Sequence, residues 1–266
     1  MIASWDTDWE MAQACLAWQV ELGADEAICD EPVNRYALEN SPKPRLNDKA
    51  TPAKVDSAAE KPATDPVQDA RTMAQASGDL AALEAAMAAF PHCELRQGAR
   101  NLVFSDGQPN ARIMIIGEAP GREEDLQAKP FVGEAGQLLN RMFAAIGIGR
   151  DSPNSDRALY ITNILPWRPP QNRDPSAEER AMFRPFVLRH ISLVDPDIVI
   201  LMGRVSASTL LETSEGITRI RGQWRELDGR PALPMLHPAY LLRNPAAKRE
   251  AWADLLELQA KLRTLP

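Results

Sequence analysis

The sequence predicts an α/β protein, a three-layer α/β/α arrangement around a small, mostly parallel four-stranded sheet. Two observations predict it. Four short runs rich in Ile, Leu and Val (112–116, 158–162, 197–202 and 232–236) recur beyond residue 110 of the 266-residue chain, with helical patterns between them. Three of these runs end in short Gly-, Asn- or His-containing motifs, and parallel strands would bring those ends to one edge of the sheet. A chain of this length can bury one such domain and carry extra material besides.

In chain order, Trp5, Trp9, Ala12 and Leu16 recur at helical spacing, which predicts a helix with one apolar stripe over 3–20. Asp6, Asp8 and Glu10 near its start suit the helix dipole. Residues 37–70 hold Pro42, Pro44, Pro52, Pro62 and Pro66 among Lys, Asp, Ala and Ser, a composition too poor in apolar side chains to bury a core, and read as a disordered linker. From about Ser77 a helix resumes, with Leu80, Leu83, Met87 and Phe90 on one side. After the first strand comes a helix over 133–146, stopped by Gly147. Ser176 and Glu179 form a capping box for a helix over 176–194, and a shorter one follows over 205–211. Asp228-Gly229 marks a hairpin between 221–227 and 232–236. Asn244 as cap and Pro245 at the first position open a last helix over 245–263. This organisation divides the chain into an amino-terminal helical segment (1–36), a linker (37–70) and an α/β domain (71–266).

The formal charge of −7 is unevenly spread: residues 1–90 carry −9 and residues 91–266 carry +2. Net charge therefore gives no support to nucleic-acid binding, although a near-neutral domain rich in Arg can bind phosphates if those side chains cluster. No run approaches the roughly 18 apolar residues of a membrane span. The acidic start lacks the basic region of a signal peptide, and Cys15, Cys29 and Cys93 are too few and too scattered for a disulfide framework. The expectation is a cytoplasmic protein.

The most informative stretch is 117–133, GEAPGREEDLQAKPFVG, directly after the first strand. A Gly/Pro loop at the carboxyl end of a strand is a ligand-binding position, and this one lacks the GK[ST] of a nucleotide loop. Alone it is a weak signal. Phe131, between Pro130 and Gly133, could as well be a core plug; the acidic run 123–125 could be a solvated helix start; Asn163 could simply cap a helix.

Taken together with Thr162-Asn163, the RPPQNR of 168–173 and the HPAY of 237–240, the loop resembles the active-site set of the uracil-DNA glycosylases, family 4 in particular, over roughly residues 90–260. The resemblance implies removal of uracil from single- or double-stranded DNA to leave an abasic site, by a monomer associated with the nucleoid in a bacterium. The base must then be flipped out, held, and released as an anion while the sugar becomes oxocarbenium-like. Asn163 can donate to uracil O4 and accept from N3–H, the reverse of what cytosine presents. Phe131 can stack on the base. His237 can donate a hydrogen bond to O2 as charge develops there. Glu118 is the carboxylate best placed to orient the attacking water or to stabilise the cation, since Ala119 stands where related families carry an Asp. Glu124 is counted with these catalytic groups, and Gly117, Ala119, Gly121 and Asn172 with Phe131 and Asn163 as the base site. Leu241, Leu242 and Arg243 follow HPAY where the family inserts a loop into the duplex; the alternative is that the leucines pack against the last helix.

Two departures from the family matter. Family 4 holds a [4Fe–4S] cluster with four cysteines, and the matching positions here are Phe90, Cys93, Trp167 and Phe183. One thiolate cannot hold a cubane, so no metal and no cofactor are expected, and the three aromatics should fill the volume instead. The covalently trapping relatives carry GEQPG and a basic insert, both missing here, so suicide trapping of DNA is not expected. Two other functions stay open: a glycosylase for hypoxanthine or xanthine, and a non-catalytic DNA-binding module with a retained pocket. The amino-terminal helix is either a docking peptide for a protein partner or a lid on the domain.

Overall fold

A computed structural model of the protein describes residues 65–265, so the helix over 3–20 and most of the expected linker lie outside the described residues. The described chain opens with α1 (Pro66–Ala76), which takes in the last residues of that linker. Two local signals start it: the Asp65 carboxylate accepts the amide N–H of Val67 at 3.0 Å, and Pro66 occupies a position where its missing N–H has no helical partner to lose. Buried Ala70 and Ala74 let α1 lie close along α6 (Ala177–Val194). α2 (Leu80–Ala89), capped by Asp79, buries Leu83 and Met87, and a single turn, α3 (Leu95–Gly98), follows; two more short helices, α4 (Arg122–Gln127) and α8 (Ile217–Ile220), come later in the chain.

The sheet has six strands: β1 (Asp106–Gly107), β2 (Ile113–Gly117), β3 (Leu159–Asn163), β4 (Ile198–Met202), β5 (Arg225–Leu227) and β6 (Arg230–Met235), in the order β1-β3-β2-β4-β6-β5. The four inner strands are those read from the sequence, and all are parallel. Short antiparallel strands close both edges, two more than the four expected. β5 arises from the Asp228-Gly229 hairpin, whose turn residues both take positive φ, 51° and 77°. β1 is two residues long and carries no hydrophobic pattern to announce it.

Alternation along the strands builds a core on each face. Met114, Ile116, Tyr160, Val199 and Leu201 pack with α1, α2, α6 and α7 (Arg204–Leu210). Ile113, Ile115, Leu159, Ile161, Ile198 and Ile200 pack with α5 (Glu134–Ala144) and α10 (Lys248–Leu262). Covered on both sides, the inner strands read as unbroken apolar runs, as parallel strands do. The expected capping box of α6 is formed: Ser176 Oγ accepts from Glu179 N at 3.1 Å, and Ser176 N donates to the Glu179 carboxylate at 2.7 Å. The last helix differs from expectation. Residues Pro245–Ala247 make a 3₁₀ turn, and Asn244 turns its amide back to the Tyr240 carbonyl at 3.2 Å instead of capping α10.

α5 and α6 connect β2 to β3 and β3 to β4 across opposite faces, while β3 and β4 flank β2 on opposite sides. This arrangement opens a crevice beyond the carboxyl ends of the inner strands.

Candidate active site

That crevice is a cavity of about 420 Å³. Glu118, Ala119, Gly121, Glu124, Phe131, Asn163, Asn172, His237 and Arg243 all line it, so motifs more than a hundred residues apart in sequence meet there.

Its floor is set by sheet register. Gly117 ends β2 and pairs with Asn163, the last residue of β3. A Cβ on Gly117 would lie 2.3 Å from Asn163 Oδ1 and 2.6 Å from the Phe131 ring, so only glycine lets the two side chains close over it. Asn163 is 4% exposed, yet its carboxamide makes no hydrogen bond with any described residue. An amide that reaches solvent only through the cavity, with donor and acceptor both unused by the protein, is poised for a ligand carrying the complementary pair.

His237 stands at the start of α9 (Pro238–Arg243), where its Nδ1 accepts the Ala239 amide N–H at 3.1 Å. That bond makes Nδ1 an acceptor, so the proton of the neutral ring is on Nε2. Burial, and then the positive charge of Arg243, push the imidazole down to about 4, against a smaller opposing pull from Glu124. The ring has room because Gly203, with φ 92° just beyond β4, would as any other residue put a Cβ 3.1 Å from the His237 Cβ. Its centroid is 5.4 Å from that of Phe131, at 30°.

Glu118 is half-buried in the wall and unpaired among the described residues. Burial, and then the nearby Asp174 carboxylate, push its carboxyl above the ordinary range, with Arg204 and Arg180 pulling the other way. A carboxylate raised in this manner is a better proton acceptor than one free in water. Glu124 does something the sequence did not suggest. Its Oε1 accepts the amide N–H groups of Val132 at 2.9 Å and Gly133 at 2.8 Å, bracing the loop that carries Phe131. Its neighbour Asp125 is also no solvated helix start: it is buried and accepts from Arg100 N at 2.8 Å and Asn101 N at 3.1 Å.

Asn172 lies on the exposed rim, with φ 54°, and accepts from Arg168 Nε at 2.8 Å. Leu241 corrects the expected duplex-entering loop. It is 1% exposed and packs with Leu138, Leu236 and Ala251, so it belongs to the core. Leu242 is partly buried against the same cluster, while Arg243 is exposed at the cavity. Sequence reading missed Tyr240, Asp174 and Gly203. Tyr240 is 37% exposed beside the cavity and could have been suspected from its place in HPAY. Gly203 follows a strand end, which is a recognisable signal; Asp174 acts through space and gives none.

The residues at the family's cluster positions do not fit a [4Fe–4S] group. Phe90, Cys93, Trp167 and Phe183 are all buried in one core cluster. Phe90 meets Phe183 edge-on at 5.7 Å and Phe186 at 5.3 Å, so packed rings fill the space. Burial pushes the Cys93 thiol up, away from the thiolate that iron needs. Among the described residues no three His, Cys, Asp or Glu side chains gather as a metal site.

Residues 104–256 match the family model of the uracil DNA glycosylase superfamily. The chain is 38% identical over 156 residues to the type-4 uracil-DNA glycosylase of Thermotoga maritima, covering 57% of this chain and 77% of the relative. It is 34% identical over 174 residues to that of Archaeoglobus fulgidus, covering 62% and 84%. It is 37% identical over 183 residues to that of Saccharolobus solfataricus, covering 65% and 82%.

Proposed function

The chain belongs to the uracil DNA glycosylase superfamily, and from that membership and the cavity we propose that it is a uracil-DNA glycosylase, hydrolysing the N-glycosidic bond of uracil in DNA to leave an abasic site in base-excision repair. One observation carries the reading: the unpaired Asn163 carboxamide and the Nε2–H of a neutral His237 share one cavity with the Phe131 ring and a carboxylate.

A flipped uracil in this cavity meets Asn163, which donates to O4 and accepts from N3–H. Cytosine would oppose donor to donor and leave a buried group unpaired, a loss that supports large discrimination. As the bond between C1′ and N1 breaks, its electron pair passes into the uracil ring, and negative charge grows on O2. His237 Nε2–H stabilises that charge by a hydrogen bond whose proton is already on the nitrogen that must donate it. Water adds to C1′ from the other side, and Glu118 takes its proton. Arg243 at the mouth can meet phosphate, and Tyr240 and Leu242 are the apolar groups left to enter the space of the flipped base.

The test is a cleavage assay on single-stranded and duplex oligonucleotides carrying uracil, hypoxanthine or xanthine. Release of uracil with an alkali-labile site is the expected result. Release of only the purines would shift the substrate, and no release from any would leave a binding module.

A further inference from the structure

Phe131 is the one wall of the cavity held in a conformation its residue type disfavours. Its φ is 54°, in the left-handed region that favours glycine, on a bulky aromatic residue. A non-glycine residue stays there only when its surroundings over-determine it, and such outliers gather where geometry serves function. The surroundings here are a half-buried carboxylate and a buried guanidinium that between them hold the amides and the carbonyls of one short segment. Glu124 takes the N–H groups of residues 132 and 133, as above. Arg150, 8% exposed, takes the carbonyls: Nη1 donates to Pro130 O at 2.9 Å and Nη2 to Phe131 O at 2.8 Å. The guanidinium is itself fixed, with Nε donating to Asn140 Oδ1 at 3.0 Å and Nη1 to Asp106 Oδ2 at 2.9 Å. From a third side Gly136 backs onto the same carbonyl, where a Cβ would come within 1.9 Å of Phe131 O.

We propose that Arg150 is a positioning residue for base recognition, locking Phe131 at positive φ so that its ring lies over Gly117 and beside His237 as the platform for the flipped base. The proposal rests on the glycosylase reading for its substrate, but not for its geometry. The planar fork of arginine reaches two successive carbonyls at once, which the single ammonium of lysine does not do with the same rigidity. Among the described residues Asp106 supplies the one counter-charge within hydrogen-bond reach, which makes the edge strand β1 part of the device. Relaxed to an ordinary φ, the segment would swing the ring off Gly117, and misplacement of about 1 Å can cost on the order of 10²-fold in rate.

Two measurements test this on the full chain. Single-turnover uracil excision is compared for the wild type, Arg150→Met, Arg150→Lys, Phe131→Ala and the Arg150→Met/Phe131→Ala double variant. In parallel, 4-fluorophenylalanine is placed at position 131 and its ¹⁹F resonance recorded with Arg150 intact and replaced. The expected result is a loss on the order of 10²-fold for Arg150→Met, a smaller loss for Arg150→Lys, and no further loss when Arg150→Met is added to Phe131→Ala. The single ¹⁹F line should shift or split on replacement. A folded Arg150→Met protein with an unchanged ¹⁹F line and a rate within about twofold of wild type, or losses that multiply in the double variant, would overturn the proposal. If Arg150→Met does not fold, Arg150→Lys is read by the same two criteria. If the wild type releases no uracil, the glycosylase reading fails, and the ¹⁹F line alone decides for or against Arg150.

Discussion

His237 Nδ1 accepts the Ala239 amide N–H at 3.1 Å, so the first turn of α9 fixes the tautomer of the ring that faces the cavity. The ring stays neutral down to a pH of about 4, and its Nε2–H is committed before substrate arrives. His237→Ala should lower single-turnover excision by on the order of 10²–10³, the cost of one donor to a developing anion. Asn163→Ala should cost a similar factor and also erode discrimination against cytosine. Near wild-type rates for either variant would remove that residue from the site.

The pH profile of excision should have an acid limb set by Glu118. Its carboxyl is raised above the ordinary range and must be ionised to take the proton of water, so activity falls as pH drops through a value higher than that of a free glutamate. His237 titrates lower, at about 4, and contributes only a second, more acidic step. Glu118→Gln should slow the reaction and abolish the upper step. A profile unchanged by that substitution would show that another group handles the water.

A second buried imidazole predicts acid sensitivity of the fold. Tyr160 Oη lies 2.8 Å from His190 Nε2 and 2.8 Å from Ser105 Oγ, and Phe104 stacks on the imidazole at 4.5 Å. Burial holds His190 down to about 3, against 6.5 when exposed. The unfolded chain therefore binds one more proton than the native protein between those values. Stability from this group is full above pH 6.5 and is lost as pH falls toward 3, amounting to a few kcal/mol at order of magnitude. His190→Gln removes the titration, so its stability should fall less steeply with acid than that of the wild type. Urea unfolding at pH 7, 5.5 and 4.5 measures the two slopes; parallel slopes would contradict the assignment.

The aromatic cluster predicts a colourless protein that contains no iron or acid-labile sulfide and is indifferent to chelators. Phe90→Cys, Trp167→Cys and Phe183→Cys should each be destabilising, with about 3–5 kcal/mol as the scale for truncating a buried large aromatic. Thermal unfolding and iron analysis of the single and triple variants check this. A brown wild-type preparation would point to cysteines outside the described residues.

Deletion of residues 1–58 should leave excision unchanged, since the residues of the cavity all lie from Gly117 onward. The starting point matters more than the notion of a linker suggests. A chain beginning near Asp69 loses the Asp65 cap and Pro66, and one beginning at Ser77 loses α1 from the face of α6. Thermal unfolding should rank these truncations in that order, with activity per folded molecule equal among those that fold. Loss of activity on removing 1–58 would make the amino-terminal segment part of the active unit.

What the sequence made legible were features written in neighbouring residues. The Ser176–Glu179 capping box, the Asp228-Gly229 turn and the four β-rich runs are local, and each appears where its residues place it. The meeting of Glu118, Asn163 and His237 was also foreseeable, because parallel strands end at one edge. Relationships between distant segments gave no such signal. Glu124 reads as one more acid in an acidic turn, and only the return of the chain at 132–133 gives it amides to accept from. Arg150 lies in a turn with nothing around it in sequence to mark it as buried. Leu241 follows HPAY in a manner that suits an exposed wedge, and its burial depends on Leu138 and Ala251 arriving from two other helices.

Beyond the paired ends of β2 and β3 the two outgoing loops stay joined: Ile164 N donates to Gly117 O at 3.1 Å and Leu165 N to Glu118 O at 3.1 Å. The backbone that presents the base reader and the backbone that presents the carboxylate are thus one continuous ladder. They can separate only by unzipping the centre of the sheet. The rim from Arg168 to Asp174, tied mainly by exposed side-chain bonds, has no such anchor. Hydrogen exchange should accordingly divide the cavity in two, with the amides of Ile164 and Leu165 opening only with the whole domain and those of the rim opening far more often. A nucleotide would then enter through a yielding doorway into a chamber whose far wall does not move.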